Sequence, residues 1–251
     1  MDRLIYTAMS GAAQSLEQQS VVANNLANAS TTGFRAQLSA FRSVPMNFED
    51  SAAGEPSTRT FVLSSTPAAD YTPGPIQQTG NPLDVAIQGP GWLAVQAADG
   101  TEAYTRAGNL HVDVNGQLVT ANNLPVIGNG GPMSIPAGAQ VTIGKDGTVN
   151  ALIPGEPATA IATVDQLKLV NPDPATITRG DDGLFRTADG QPADADPTVI
   201  VAPASLEGSN VNAVSAMVDM ITNARQFQMQ TKMLDSATQN DQAANKLLDF
   251  S

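Results

Sequence analysis

Proline is confined to the middle of this chain. All seventeen prolines lie between Pro45 and Pro203, and nineteen of the 21 glycines lie between Gly54 and Gly208, leaving Gly11 and Gly33 outside. Proline removes a backbone N–H and clashes with the preceding turn, so it excludes long helices where it recurs. The two ends are therefore free to be helical and the middle is not. A length of 251 residues allows one large β-domain or two smaller bodies.

Both ends carry a helical period. Ile5, Met9, Ala12, Leu16, Gln19, Ala23 and Leu26 follow a 4-3 spacing with one polar member. That is a narrow coiled-coil-like seam rather than a broad core-facing stripe. The run Asn28-Ala29-Ser30-Thr31-Thr32-Gly33 ends the helix and turns the chain. At the other end, Ser209 and Asn210 are expected to cap a helix from about Val211. Ala213, Met217, Met220, Ala224, Phe227, Thr231 and Leu234 repeat the seam. The two helices are expected to pair with each other, leaving methionine-rich surface for a partner chain.

The middle reads as β structure. Asp99-Gly100, Asn115-Gly116, Asp146-Gly147, Asp182-Gly183 and Asp189-Gly190 are dipeptides that accept the positive φ of tight turns. Leu110, Val112 and Val114 alternate with polar residues, as do Val141 and Ile143; Leu118-Val119, Leu167 with Leu169, and 198–201 are further strands. The fold class is α+β, with terminal coiled-coil-like helices flanking a mainly antiparallel β-domain. The expected division is a helix and turn over 1–45, a linker or extended segment over 46–82, the β-domain over 83–205 and the second helix over 206–251.

Charge is uneven. The net is −12, made of +1 over 1–45, −11 over 46–206 and −2 over 207–251. An acidic chain without clustered bases does not suit nucleic-acid binding or anionic membranes. No apolar run is long enough to cross a membrane, and Gln14, Glu17, Gln18, Gln19 and Asn24 interrupt any signal-peptide core. Cysteine is absent, which excludes disulfides and thiolate chemistry.

Catalytic patterns are lacking. The single histidine, His111, lies in a strand with no nucleophile pattern beside it. Gly128-Asn129-Gly130-Gly131 runs straight into Pro132 and reads as a hairpin or loop, not a phosphate cradle. Asp189, Asp194 and Asp196 lack calcium-loop spacing, and adjacent acids such as Asp181-Asp182 are expected by composition alone. No catalytic, metal or cofactor residue is assigned, and the chain reads as an interaction protein.

Three motifs carry a resemblance. Val22-Ala23-Asn24-Asn25-Leu26-Ala27-Asn28-Ala29-Ser30-Thr31-Thr32-Gly33-Phe34-Arg35 resembles the N-terminal signature of the flagellar rod and hook family. Leu206-Glu207-Gly208-Ser209-Asn210-Val211-Asn212 resembles its C-terminal signature. Pro82-Leu83-Asp84-Val85-Ala86-Ile87, Gly91-Trp92-Leu93-Ala94-Val95 and Tyr104-Thr105-Arg106-Ala107-Gly108 resemble its β-domain core. The opening Met1-Asp2 with 5–9, and the stretch 33–38, are most similar to the proximal-rod branch. Thr32 and Pro90 depart from the usual pattern, both in turns.

The resemblance implies a structural subunit of the basal-body rod, located in the periplasm. It implies export in unfolded form through the flagellar type III apparatus and assembly between earlier proximal-rod subunits and the distal-rod protein. Ile5, Met9, Leu16, Leu26, Met217, Met220, Phe227 and Leu234 are the expected assembly contacts. Asn25, Asn28, Gly33, Phe34, Ser209 and Asn210 are the expected turn residues, with positive φ at Gly33 and with Asn25 and Asn28 bonding backbone in that turn. The ends are expected to order fully only on assembly. The rival readings are a distal-rod or hook paralogue, and a secreted β-domain binder or hydrolase of cell-wall glycan.

Overall fold

A computed structural model describes residues 2–45, 60–153 and 162–248. Helix α1 spans Asp2–Ala27 and α2 spans Ala213–Leu248. They lie at the two ends that lack proline, and the 36 residues of α2 extend about 54 Å. Between them run β1 (Gln37–Pro45), β2 (Thr60–Ala69), β3 (Ile76–Gln78), β4 (Val85–Gln88), β5 (Trp92–Gln96) and β6 (Glu102–Thr105). Then follow β7 (Leu110–Val112), β8 (Leu118–Thr120), β9 (Ile127–Gly128), β10 (Gly131–Pro132), β11 (Gln140–Ile143) and β12 (Thr148–Leu152). The last are β13 (Ala162–Gln166), β14 (Leu169–Val170), β15 (Ile177–Arg179), β16 (Phe185–Thr187), β17 (Ile200–Pro203) and β18 (Ser205–Glu207).

The chain divides into two compact units. The first holds α1, α2 and the segment 37–70. Here α1 packs on α2, and β1 pairs antiparallel with β2 to form a ribbon beside α1. The ribbon occupies part of the stretch expected as linker; residues 46–59 of that stretch lie outside the described residues.

The second unit holds residues 28–36 and 71–211. Its largest sheet has the order β14-β5-β6-β16-β15, and its named strands all pair antiparallel. Expected turns close real hairpins: Gly116, at φ 82°, joins β7 to β8, and Gly147, at φ 81°, joins β11 to β12. Asp189-Gly190 turns the chain without starting a paired strand. Gly128–Gly131 makes the tip of the β9–β10 hairpin. Strand alternation puts Val141, Ile143, Val149 and Ala151 on the inner face. Val141, Ile143 and Val149 join Val85, Leu93, Val95, Leu118, Val126 and Met133 in one apolar core.

Ala204 connects β17, paired with β4, to β18, paired with β3. Its φ of 52° is left-handed, which is uncommon for a residue with a Cβ. This kink moves the chain from one ladder to the next just before Glu207.

Candidate functional site

Two features of the structure bear on function, one in each unit. In the β-containing unit, segments far apart in sequence meet at a buried junction. Gly33 holds φ +67° and donates its N–H to the Glu207 carbonyl at 2.8 Å. A Cβ at Gly33 would lie 2.2 Å from the Arg106 carbonyl carbon, so only glycine fits. Gly74 is pressed against Gly208 in the same way, with its would-be Cβ 2.1 Å from the Gly208 oxygen.

The centre of the junction is ionic. Glu207 Oε1 lies 2.8 Å from Arg35 Nη2, and its Oε2 lies 2.9 Å from Arg106 Nη1. The three side chains are 1–4 % exposed. Glu207 Oε1 also accepts the Gly74 N–H at 2.9 Å. Arg35 donates to the Thr72 carbonyl. Arg106 donates to the Gly89 carbonyl at 2.6 Å and lies 5.5 Å from the Trp92 ring centre. Trp92 in turn contacts Phe185, with ring centres 4.3 Å apart. Two guanidiniums share one carboxylate, so removing the carboxylate leaves buried positive charge.

Asn210 completes the junction. Its Oδ1 accepts the Ala36 N–H at 2.7 Å, and its Nδ2 donates to the Thr72 carbonyl at 3.1 Å. Ser209 Oγ accepts the Val211 N–H at 3.2 Å. Neither residue caps α2. The cap is Asn212, whose Oδ1 accepts from Val214 and Ser215 at 3.0 and 3.1 Å. Asn210 is unavailable because its amide is spent on the N-terminal turn.

The expectation for Asn25 also changes in detail. Its amide forms a two-bond pair with the backbone of Gln37, at 2.9 and 2.8 Å, beyond the turn. Within the turn, Thr31 donates its N–H to the Asn28 carbonyl at 3.1 Å and its hydroxyl to the Asn28 side chain at 3.2 Å. Phe34 is buried, and Arg179 sits 4.7 Å from its ring centre.

In the helical unit, the fully buried side chains described on α1 and α2 are small or polar. Ala8, Ala12 and Ser15 are buried on α1; Ala216, Asn223 and Ala237 are buried on α2. A Cβ at Gly11 would come within 2.8 Å of the Gln230 amide nitrogen. Larger apolar side chains face outward: Met9 and Leu16 on α1, and Val214, Met217, Val218, Ile221, Met229 and Met233 on α2, all more than half exposed. Of the expected assembly contacts, Leu26, Met220, Phe227 and Leu234 are half-buried, while Met9, Leu16 and Met217 are exposed. The side chain of Ile5 lies outside the described residues.

The titratable groups of the β-containing unit have structural explanations. Tyr104 is pushed up to about 12, chiefly by burial, and its hydroxyl accepts the Ala193 N–H at 2.7 Å. Asp99, Asp146 and Asp196 each bond the hydroxyl and N–H of the threonine two residues on, which holds their carboxyls below the usual range. His111 is exposed on β7. Among the described residues, no cluster of three or more His, Asp or Glu side chains is placed to hold a metal ion, and no helix is long and apolar enough to cross a membrane.

The family model described as flagella basal body rod protein matches residues 5–35. That of the flagellar hook protein FlgE/F/G D1 domain matches 86–151. That of the flagellar basal body rod FlgEFG protein C-terminal region matches 202–247. The flagellar basal-body rod protein FlgF of Escherichia coli is 53% identical over 257 aligned residues, covering 100% of both chains. FlgF of Salmonella typhimurium is 52% identical with the same coverage. FlgG of Buchnera aphidicola from Schizaphis graminum is 31% identical, covering 90% of this chain and 92% of its own. Each matched segment supplies one member of the ionic junction, Arg35, Arg106 or Glu207, and the likeness runs the whole length: the chain belongs to the flagellar basal-body rod protein family.

Proposed function

We propose that this structural rod subunit joins its neighbours through the outward apolar faces of α1 and α2, in the proximal part of the rod. The observation that carries the reading is the inversion of the helix pair. Its fully buried positions are small or polar, while Met9, Leu16, Val214, Met217, Val218, Ile221, Met229 and Met233 are more than half exposed. A face of that kind is unfavourable in water and favourable against another helix. Burying one such side chain contributes roughly 1.5–3 kcal/mol, so a few of them outweigh the entropy of ordering on assembly. Contacts that do not close on themselves build an axial structure. The partners are earlier proximal-rod subunits on one side and the distal-rod protein on the other, and the site of assembly is the periplasm. Delivery is through the flagellar type III apparatus in unfolded form, and the role is structural rather than catalytic. A chain free of cysteine suits an oxidising destination.

The test replaces Met217 and Ile221 by Asp in a flagellated host. Both side chains are exposed, so the purified variant should keep wild-type helicity and melting temperature. The expected result is loss of swimming and of the protein from isolated basal bodies. Normal swimming with both substitutions would refute the reading.

A further inference from the structure

The β-containing unit has four arginines, and three of them hold a carboxylate. Arg35 and Arg106 share Glu207, and Arg186 holds Asp182 at 2.7 Å. Arg179 is the exception. It is half-buried, donates one bond to the Arg35 carbonyl at 3.2 Å and lies over the Phe34 ring. No carboxylate pairs with it among the described residues. Burial without a compensating anion lowers its pKa. The isolation is unexpected on composition, because residues 28–36 and 71–211 hold fourteen acids against six bases.

Its place is also particular. Arg179 ends β15, which is an outer strand of the five-stranded sheet, with β16 on one side only. The aromatic face and the single backbone bond fix the guanidinium, so little side-chain entropy remains to be lost on pairing. A planar fork held in one orientation at a sheet edge suits a two-point hydrogen bond to a carboxylate.

We propose that Arg179, seated on Phe34, is a docking point for a carboxylate of a second copy of this chain in the assembled rod. The inference rests on the rod-subunit reading above. A second copy fits because the same unit presents an excess of acids, several on exposed turns such as that of Asp99. The N-terminal signature thus serves two ends: Arg35 ties it to the junction, and Phe34 seats the Arg179 guanidinium.

The test uses the full chain in a flagellated host, with wild type, Arg179→Glu and Arg179→Lys at the native locus. Basal bodies are isolated and their content of the protein measured, and each purified chain is melted. Arg179→Glu is expected to lower incorporation by about tenfold, with Arg179→Lys intermediate and all melting temperatures alike. Equal incorporation of Arg179→Glu and wild type would overturn the proposal. A fall in melting temperature that accounts for the loss would also overturn it, because Arg179 would then act within one chain. Absence of the wild-type protein from basal bodies would instead defeat the rod-subunit reading itself. A photo-crosslinking residue at exposed Thr178 identifies the partner. An adduct to an acidic stretch of another copy is expected, and an adduct only to a different protein would overturn the assignment.

Discussion

Glu207 shows how much depends on single residues here. It is the one carboxylate between two buried guanidiniums, and it ties three distant segments together. Glu207→Gln keeps the shape and removes the charge. It should cost about 3–5 kcal/mol, read by denaturant unfolding of the purified chain, because two cations remain buried without an anion. The turn aspartates act differently. Asp99, Asp113, Asp146, Asp182 and Asp196 organise turns, and their carboxyls are held low by bonds to neighbouring hydroxyls, amides or Arg186. A depressed folded-state pKa gives stability that is present above the ordinary carboxylate value and lost as pH falls through the lowered one. Unfolding midpoints should therefore hold from pH 7 down to about pH 4 and then drop. Asp146→Asn should shrink that drop, and an unchanged acid profile would contradict the assignment.

At the scale of elements, the placement of helices and hairpins was legible, and the division of the seam between buried and exposed members was not. The limits on proline and glycine forced α1 and α2 to the ends, and turn dipeptides marked the β7–β8 and β11–β12 hairpins. The seam was read by counting apolar residues, which selected Leu26, Met220, Phe227 and Leu234, all half-buried, together with Met9, Leu16 and Met217, all exposed. Ala12, a seam residue, is buried on α1, and the other buried positions are Ala8, Ser15, Ala216, Asn223 and Ala237. Small residues permit the close approach seen where Gly11 meets Gln230. A single chain records apolar period without saying which partner covers it. Asn223 is buried with its amide nitrogen unpartnered. Replacing it by Leu should stabilise the isolated chain by about 1 kcal/mol, read as a higher melting temperature. A lower melting temperature would show that the amide has a structural partner.

For the whole molecule, the motifs were legible as three separate strings, and their convergence was not. Arg35 and Glu207 are 172 positions apart, and Arg106 lies between them within another motif. Nothing local in sequence marks an ion pair of that span, so Arg35, Arg106 and Glu207 were absent from the expected site residues while their neighbours Gly33, Phe34, Ser209 and Asn210 were present. The cap at Asn212 was missed for the same reason, since the competing claim on Asn210 comes from Ala36 and Thr72. The central claim is that the outward helix face joins one subunit to another. The chain has no cysteine, so Met217→Cys and Leu16→Cys each introduce a single thiol at an exposed position of that face. The direct measurement is mild oxidation of basal bodies carrying both thiols, on different subunits, followed by non-reducing electrophoresis. The account predicts disulfide-linked dimers that are absent from the purified monomer. Thiols that stay free and monomeric in intact basal bodies would contradict it.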